Sequence, residues 1–268
     1  MRGYRDTIER FNGFGDDYDR YRPTPPEVIK EILINYLDKE PETVVDLGCG
    51  TGLSTFIWKE SAKQIIGIDP NKDMLDTAMR NKDSYTGSNH ILFKMGYSNE
   101  TNIDSGYADI ITCASAFQWM EPESTVHEAL RILKDGGIFA IYNHDGIPAV
   151  DWEIEKAYKK MFLKFYTALD ELRGRETPWT IEKYLEFLKE SGKFNFIKEV
   201  VLHSKVTMTA EDIIGFAFSQ GALHEIRKHN ISWAEEEIEK FIKLVHSRIG
   251  DNTKEAIFSY RMRISRKQ

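Results

Sequence analysis

The stretch Val44-Val45-Asp46-Leu47-Gly48-Cys49-Gly50-Thr51-Gly52 decides how this chain is read. Residues 43–47 are a short β-rich run, and the stretch ends in three glycines at alternate positions. Glycines at the carboxyl end of a strand permit a tight turn and let the backbone come close to a ligand. Residues 53–60 then read as a helix. A unit of this kind places its ligand at the mouth of an open α/β sheet.

Outward from that unit, strands and helices alternate. Residues 64–69 form a second β-rich run ending on Asp69, and residues 73–80 read as a helix. Residues 90–94 and 109–113 give a third and a fourth strand. A helix over 123–133 is expected to stop at Asp135-Gly136-Gly137, where glycine supplies the left-handed residue that ends many helices. Residues 138–142 make a fifth strand. Alternation at this spacing predicts right-handed crossovers and a doubly wound, mostly parallel sheet.

The flanks read differently. Before residue 26 the chain is polar, aromatic and Pro-bearing, and the spacing of Ile29, Ile32, Leu33 and Tyr36 predicts a helix with one buried face. After 146 the pattern turns mostly helical. Ile154, Ala157, Tyr158, Met161, Phe162 and Phe165 form one stripe, and Ile181, Tyr184, Leu185 and Leu188 another. Thr209 and Ser232, each with an acid three residues on, read as capped helix starts. Residues 196–206 and 257–264 are the last strand candidates. The expected organisation is one domain: an N-terminal helical lid over 1–40, a core over 41–145, and helical insertions with the last strands over 146–268.

Composition excludes several classes. The 268 residues are 41% hydrophobic and 29% charged, an ordinary globular mixture. A chain of this length buries roughly 70–75% of its unfolded surface. With 36 basic and 43 acidic residues the formal charge is −7, which disfavours a nucleic-acid partner. No apolar run reaches the roughly 20 residues that span a bilayer, and the N-terminal stretch holds no signal-like apolar segment. A cytoplasmic protein is therefore expected. Two cysteines cannot build a disulfide framework, and His224 and His229, five apart, do not share a helix face as zinc pairs do.

The glycine loop leaves two cofactors in competition. A dinucleotide fingerprint spaces its glycines G-x-G-x-x-G, so that a pyrophosphate rests on the helix N-terminus. Here the third glycine comes one residue early and an acid, Asp46, precedes the first. A carboxylate is unfavourable beside a pyrophosphate and useful beside an ammonium group. Asp69, 23 positions later, is placed to accept from both hydroxyls of a ribose.

At these residues the chain resembles the class I S-adenosylmethionine-dependent methyltransferases. Asp46 to Gly52 matches their first motif and Gly67-Ile68-Asp69-Pro70 their acidic second-strand end. Ala114-Ser115-Ala116-Phe117-Gln118-Trp119 resembles the segment after the fourth strand in the small-molecule branch. Leu130 to Gly137 matches the turn before the fifth strand. Tyr18-Asp19-Arg20-Tyr21-Arg22-Pro23 is similar to the N-terminal segment of the type 11, trans-aconitate-like branch.

The resemblance implies a Rossmann-like fold, S-adenosylmethionine as cofactor and S-adenosylhomocysteine as product. It implies that Gly48, Gly50 and Gly52, with Cys49 as a small filler, line the methionine and ribose portion. Asp46 would meet the amino group and Asp69 the ribose diol, while Pro70 or Asn71 would flank the adenine. Family members often carry an acid after the third strand for the adenine amino group. This chain has Gly96-Tyr97-Ser98-Asn99, so Ser98 or Asn99 would substitute. Ala114, Ser115 and Phe117 would face the sulfonium.

A small anionic or polar acceptor is expected, enclosed by Tyr18, Tyr21, Arg22, Gln118, Trp119 and His144, with His144 the one candidate base. Trp119 and Phe117 suit a core as well as a substrate wall, and the oligomeric state, monomer or homodimer, stays open. The competing readings are a protein or RNA methyltransferase docking through 146–268, and a non-catalytic module that binds the cofactor. A nicotinamide oxidoreductase is disfavoured by the glycine spacing.

Overall fold

The computed structural model describes residues 8, 12, 13, 15–173 and 183–268. Seven strands form one sheet: β1 (Thr43–Leu47), β2 (Gln64–Asp69), β3 (Ile91–Met95), β4 (Ala108–Ala114), β5 (Leu133–His144), β6 (Phe196–Met208) and β7 (Lys254–Arg266). Their order is β3-β2-β1-β4-β5-β7-β6. β1 to β5 pair in parallel, while β7 runs antiparallel to both β5 and β6. The strand order reverses direction between β1 and β4, which is where such sheets open a crevice for ligands.

Both faces of the central strands are buried, and alternate side chains explain it. Val44, Ile65 and Ile110 enter one apolar layer, while Val45, Ile66 and Ile111 enter the other. The first layer is covered by α2 (Val28–Leu37), α5 (Trp152–Arg173), α7 (Ala210–Phe218), α8 (Gly221–Lys228) and α9 (Ser232–Ile249). The second is covered by α4 (Pro122–Ile132) and α6 (Tyr184–Glu190). Two more helices, α1 (Gly15–Tyr21) and α3 (Lys72–Asp83), lie near the carboxyl ends of the strands. The stripe on α5 is buried as its spacing predicts, with Ile154, Tyr158, Met161, Phe162 and Phe165 inside. Ile181 of the second stripe lies outside the described residues, while Tyr184 and Leu188 are buried.

Three local expectations change. The helix over 53–60 is a single 3-10 turn, Thr55–Trp58, and all four of its residues are buried. Four successive buried side chains fit an element packed on every side, which a one-faced helix is not. The second change concerns Gly136. α4 ends at Ile132 and Leu133 is already extended, so this glycine does not cap it. Gly136 sits inside β5 at φ +73°, where the register jumps from Ala108↔Leu133 to Ile110↔Ile138 and its carbonyl accepts from Arg266 Nε at 3.1 Å. The glycines thus serve a strand irregularity. Thirdly, Thr209 does cap α7 through a reciprocal box with Asp212, but Ser232 does not cap α9, whose N-cap is Ile231 without a side-chain bond. Among the described residues no helix is long and apolar enough to cross a membrane.

Candidate active site

A cavity of about 480 Å³ opens at the carboxyl ends of β1, β2 and β4. Its floor is Gly48, Gly50 and Asp69, with Pro70, Asn71 and Met74 at the start of α3. Tyr97, Ser98 and Asn99 line one side, and Ala114, Ser115 and Ala116 another. Ile8, Tyr18, Trp119, Met120 and Glu121 complete the wall.

The three glycines of the loop do three different jobs. All have positive φ, at +69°, +54° and +90°. A Cβ on Gly48 would lie 2.6 Å from Ala116 Cβ and 2.8 Å from Met120 Cε, so this glycine admits a neighbouring segment. On Gly52 it would lie 2.6 Å from the Phe56 ring, and Gly52 does not line the cavity. At Gly50 a Cβ would meet nothing within 4 Å, and this glycine does line the cavity. Gly50 is therefore where the backbone stands open to a ligand.

Asp69 anchors the loop from the next strand. Its Oδ2 accepts from the Gly50 N–H at 2.9 Å and its Oδ1 from the Asn71 N–H at 2.8 Å. Burial pushes its pKa up to about 6, against the lowering effect of those two bonds. Each oxygen keeps a second lone pair for an incoming hydroxyl. Asn71 caps α3 by accepting from Met74 N–H at 3.0 Å. Its amide donates to the Ile8 carbonyl and Asn12 Oδ1, at 2.8 and 2.9 Å, which draws the N-terminal segment toward the cavity.

Asp46 stands elsewhere than the sequence suggests. It is fully buried and does not line the cavity. Its oxygens accept from the Thr55 and Thr112 hydroxyls, both at 2.7 Å. Burial raises its pKa to about 6, opposed by those hydroxyls. It ties the turn after β1 to β4. Cys49 is likewise buried off the cavity, with its thiol pKa pushed up by burial and its N–H bonded to the Ile68 carbonyl at 3.1 Å.

The loop after β3 carries no acid. Instead Ser98 Oγ bonds Thr125 Oγ1 at 2.8 Å, and Asn99 Nδ2 donates to Ser124 Oγ at 3.1 Å. Both residues line the cavity and are tied by these bonds to the first turn of α4. Ser115 takes φ +49°, an uncommon value for a non-glycine residue, with its N–H on the Tyr142 carbonyl at 2.8 Å. That turn sends Phe117 inward, where its ring packs 5.1 Å from Tyr184 and 6.3 Å from Phe139. Phe117 belongs to the core and does not face the cavity.

The expected acceptor enclosure divides in two. Tyr18 and Trp119 line the cavity; Tyr21, Arg22, Gln118 and His144 do not. Tyr21 lies against Gly215, where a Cβ would sit 2.2 Å from its ring. Gln118 donates to the Ser115 carbonyl at 2.8 Å and accepts from Asn143 at 3.3 Å and Tyr184 Oη at 3.4 Å. Arg22 is bound to Ser219, Gln220 and His144 rather than to any carboxylate. His144 takes that guanidinium at Nε2, 2.8 Å away, while its Nδ1 faces the Gly146 carbonyl at 3.0 Å. Desolvation, then the Arg22 charge, pushes its pKa down to about 3. In this arrangement the imidazole has both ring nitrogens engaged and presents no lone pair to an acceptor.

Sequence reasoning missed Ile8, Met74, Tyr97, Ala116, Met120 and Glu121. Glu121 carried a signal of its own, since Glu121-Pro122 is an acid before a proline at a helix start. Its carboxylate caps α4, accepting from Glu123 and Ser124 N–H groups. Among the described lining residues Asp69 and Glu121 are the charged ones.

Strand order, glycine loop and acidic end of β2 together define a Rossmann-like methyltransferase fold. Residues 45–141 match the type 11 methyltransferase domain family. A methyltransferase of Dictyostelium discoideum is 22% identical over 210 residues, covering 78% of this chain and 75% of that protein. A type II methyltransferase from Anaeromyxobacter dehalogenans superposes with a TM-score of 0.67 at 16% identity, over 92% of this chain and 98% of that one. The Haemonchus contortus phosphoethanolamine N-methyltransferase 2, solved with S-adenosylhomocysteine, superposes at 0.57 and 15% identity, over 98% of this chain and 60% of that one. At such identities the structural likeness carries the fold alone. The domain match over residues 45–141 and the methyltransferase relatives support a class I S-adenosylmethionine-dependent methyltransferase.

The cavity fits that cofactor. An open backbone at Gly50, a carboxylate with spare lone pairs at Asp69 and a mixed polar and apolar wall match a nucleoside joined to an amino acid. When bound, S-adenosylmethionine supplies an activated methyl group on sulfur.

Proposed function

We propose that this enzyme methylates a small molecule, as the small-molecule type 11 branch does, in a pocket continuous with the cofactor cavity. One observation carries the reading: Tyr18 and Trp119 wall the same cavity whose floor is Gly50 and Asp69. In this reading Asp69 holds the ribose diol and Gly50 underlies the methionine end. Pro70 and Asn71 flank the adenine, and Ser98 or Asn99 meets its amino group in place of an acid. Ala114 and Ser115 face the sulfonium. Asp46 contributes indirectly, by holding the loop.

The enzyme's own part in such a reaction is alignment and exclusion of water. Tyr18, Trp119 and Met120 supply apolar surface for that. The acceptor is best described as small and polar without strong negative charge. Arg22, the cation expected to recognise an anion, is committed elsewhere, and the charged groups of the described lining are carboxylates. An RNA substrate has less support, because the −7 balance disfavours phosphate binding.

The test is an assay with methyl-labelled donor against a metabolite extract, total protein and total RNA. Label in a small-molecule product supports the proposal. Label confined to protein or RNA overturns it, and S-adenosylhomocysteine binding without transfer to any fraction leaves a binding module.

A further inference from the structure

We infer that Arg22 is a positioning residue, which holds Tyr18 on the cavity wall by locking α1 to the C-terminal helices and to the end of β5. The inference rests on the cofactor cavity described above. Arg22 follows α1 directly, and its N–H bonds the Tyr18 carbonyl at 3.0 Å, one turn back. The guanidinium lies 4.9 Å from the centre of the Tyr18 ring, within cation–π range.

The rest of the group faces away from the cavity. Nε and Nη2 donate to the Ser219 carbonyl at 3.3 and 3.0 Å, and Nη2 also to Gln220 Oε1 at 3.1 Å. Ser219 directly follows α7, so the cation meets the negative end of that helix. Nη1 reaches His144 Nε2 at 2.8 Å. Four segments therefore meet on one side chain: α1, the end of α7, the start of α8 and the end of β5.

Every acceptor in this set is neutral. A guanidinium that binds a substrate anion keeps a fork free for it; here both ends of the fork are occupied within the chain. The geometry also dictates the state of His144, because Nε2 must accept and Nδ1–H must donate to Gly146. Around that ring stand Phe216 from α7 and Phe258 and Tyr260 from β7. Arg22 is the charge that faces it from α1, and Tyr158 of α5 lies within reach of the same guanidinium.

A double-mutant cycle in the full-length protein tests this by calorimetry with S-adenosylhomocysteine. Arg22→Ala and Tyr18→Ala should each weaken binding by about three- to thirtyfold, and the double variant should be no weaker than the worse single one. Arg22→Lys should not restore affinity, because an ammonium cannot make the forked contacts. Arg20→Ala, whose side chain lies over Tyr21, should bind as wild type. The NMR titration of His144 gives an independent readout, and in Arg22→Ala its midpoint should rise by about one to two pH units. Additive losses, full rescue by lysine, or an unmoved His144 would overturn the inference. If wild-type protein itself fails to bind, the cavity reading has failed instead.

Discussion

The Asp69 carboxylate accepts a hydrogen bond from the Gly50 backbone N–H at 2.9 Å, which joins the end of β2 to the turn after β1. The residue expected to hold a ribose also holds the loop on which the rest of the cofactor would lie. Recognition and loop shape therefore share one side chain. Replacing it with alanine should weaken S-adenosylhomocysteine binding by about ten- to a hundredfold. Loss of charge-assisted bonds of this type costs roughly 1.5–3 kcal/mol. Calorimetry on a folded Asp69→Ala variant checks this, and unchanged affinity would refute the role.

The glycine loop predicts a contrast between two substitutions. Gly50→Val places its side chain in open space, so its structural cost is the backbone strain at φ +54°, and the protein should fold with lowered stability while losing cofactor affinity. Gly48→Val drives into Ala116 and Met120 and should lower thermal stability as well, by about 1–3 kcal/mol for a backbone-proximal clash. Circular dichroism melts paired with calorimetry separate the two. Equal melting losses would mean that the Gly48 clash adds nothing to the backbone strain that both positions share.

Acidity should weaken cofactor binding. Burial lifts the Asp69 pKa to about 6, and only the carboxylate accepts from both ribose hydroxyls. Affinity should be steady above about pH 7 and fall by up to tenfold per unit below 6. Stability without ligand follows the opposite sign. Asp46 and Asp69 have raised folded pKa values, so their contribution is present below 3.8 and lost as pH rises through about 6. Glu128 acts the other way. Burial alone would raise it, but bonds from Arg131 and Thr101 hold it at about 2, so its contribution is present above 4.5 and lost on acidification. Calorimetry at pH 5, 6 and 7.5 checks the binding trend; a flat profile would contradict it.

Trp119 lines the cavity while its neighbours Phe117 and Gln118 turn inward. Trp119→Ala should leave the S-adenosylhomocysteine dissociation constant within about twofold and raise the acceptor KM by about tenfold, the scale of losing one aromatic wall. Steady-state kinetics on the acceptor found in the extract assay would show the split. An effect on cofactor affinity alone would move Trp119 to the other end of the cavity.

Much of the core was legible because parallel strands buried on both faces read as short apolar runs between turn signals. β1 and β2 were readable to the residue for that reason. The 3-10 turn at Thr55 and the bulge at Gly136 were not, since both arise from packing against distant chain. The site was legible where function sits on backbone, at Gly50 and Asp69. It misled where polar side chains satisfy one another across the fold. Asp46 is taken up by Thr55 and Thr112, His144 by Arg22, and Gln118 by Asn143 and Tyr184. Spacing along a chain does not reveal partners 66 or 122 positions away.

The most direct measurement of the central claim is a crystal structure of the protein with S-adenosylhomocysteine. The account predicts the ribose hydroxyls at about 2.6–3.0 Å from the Asp69 carboxylate oxygens, the methionine end over Gly50, and the sulfur turned toward Ala114, Ser115 and Tyr18. Ligand bound away from Gly50 and Asp69, or a ribose held by other residues, would contradict it.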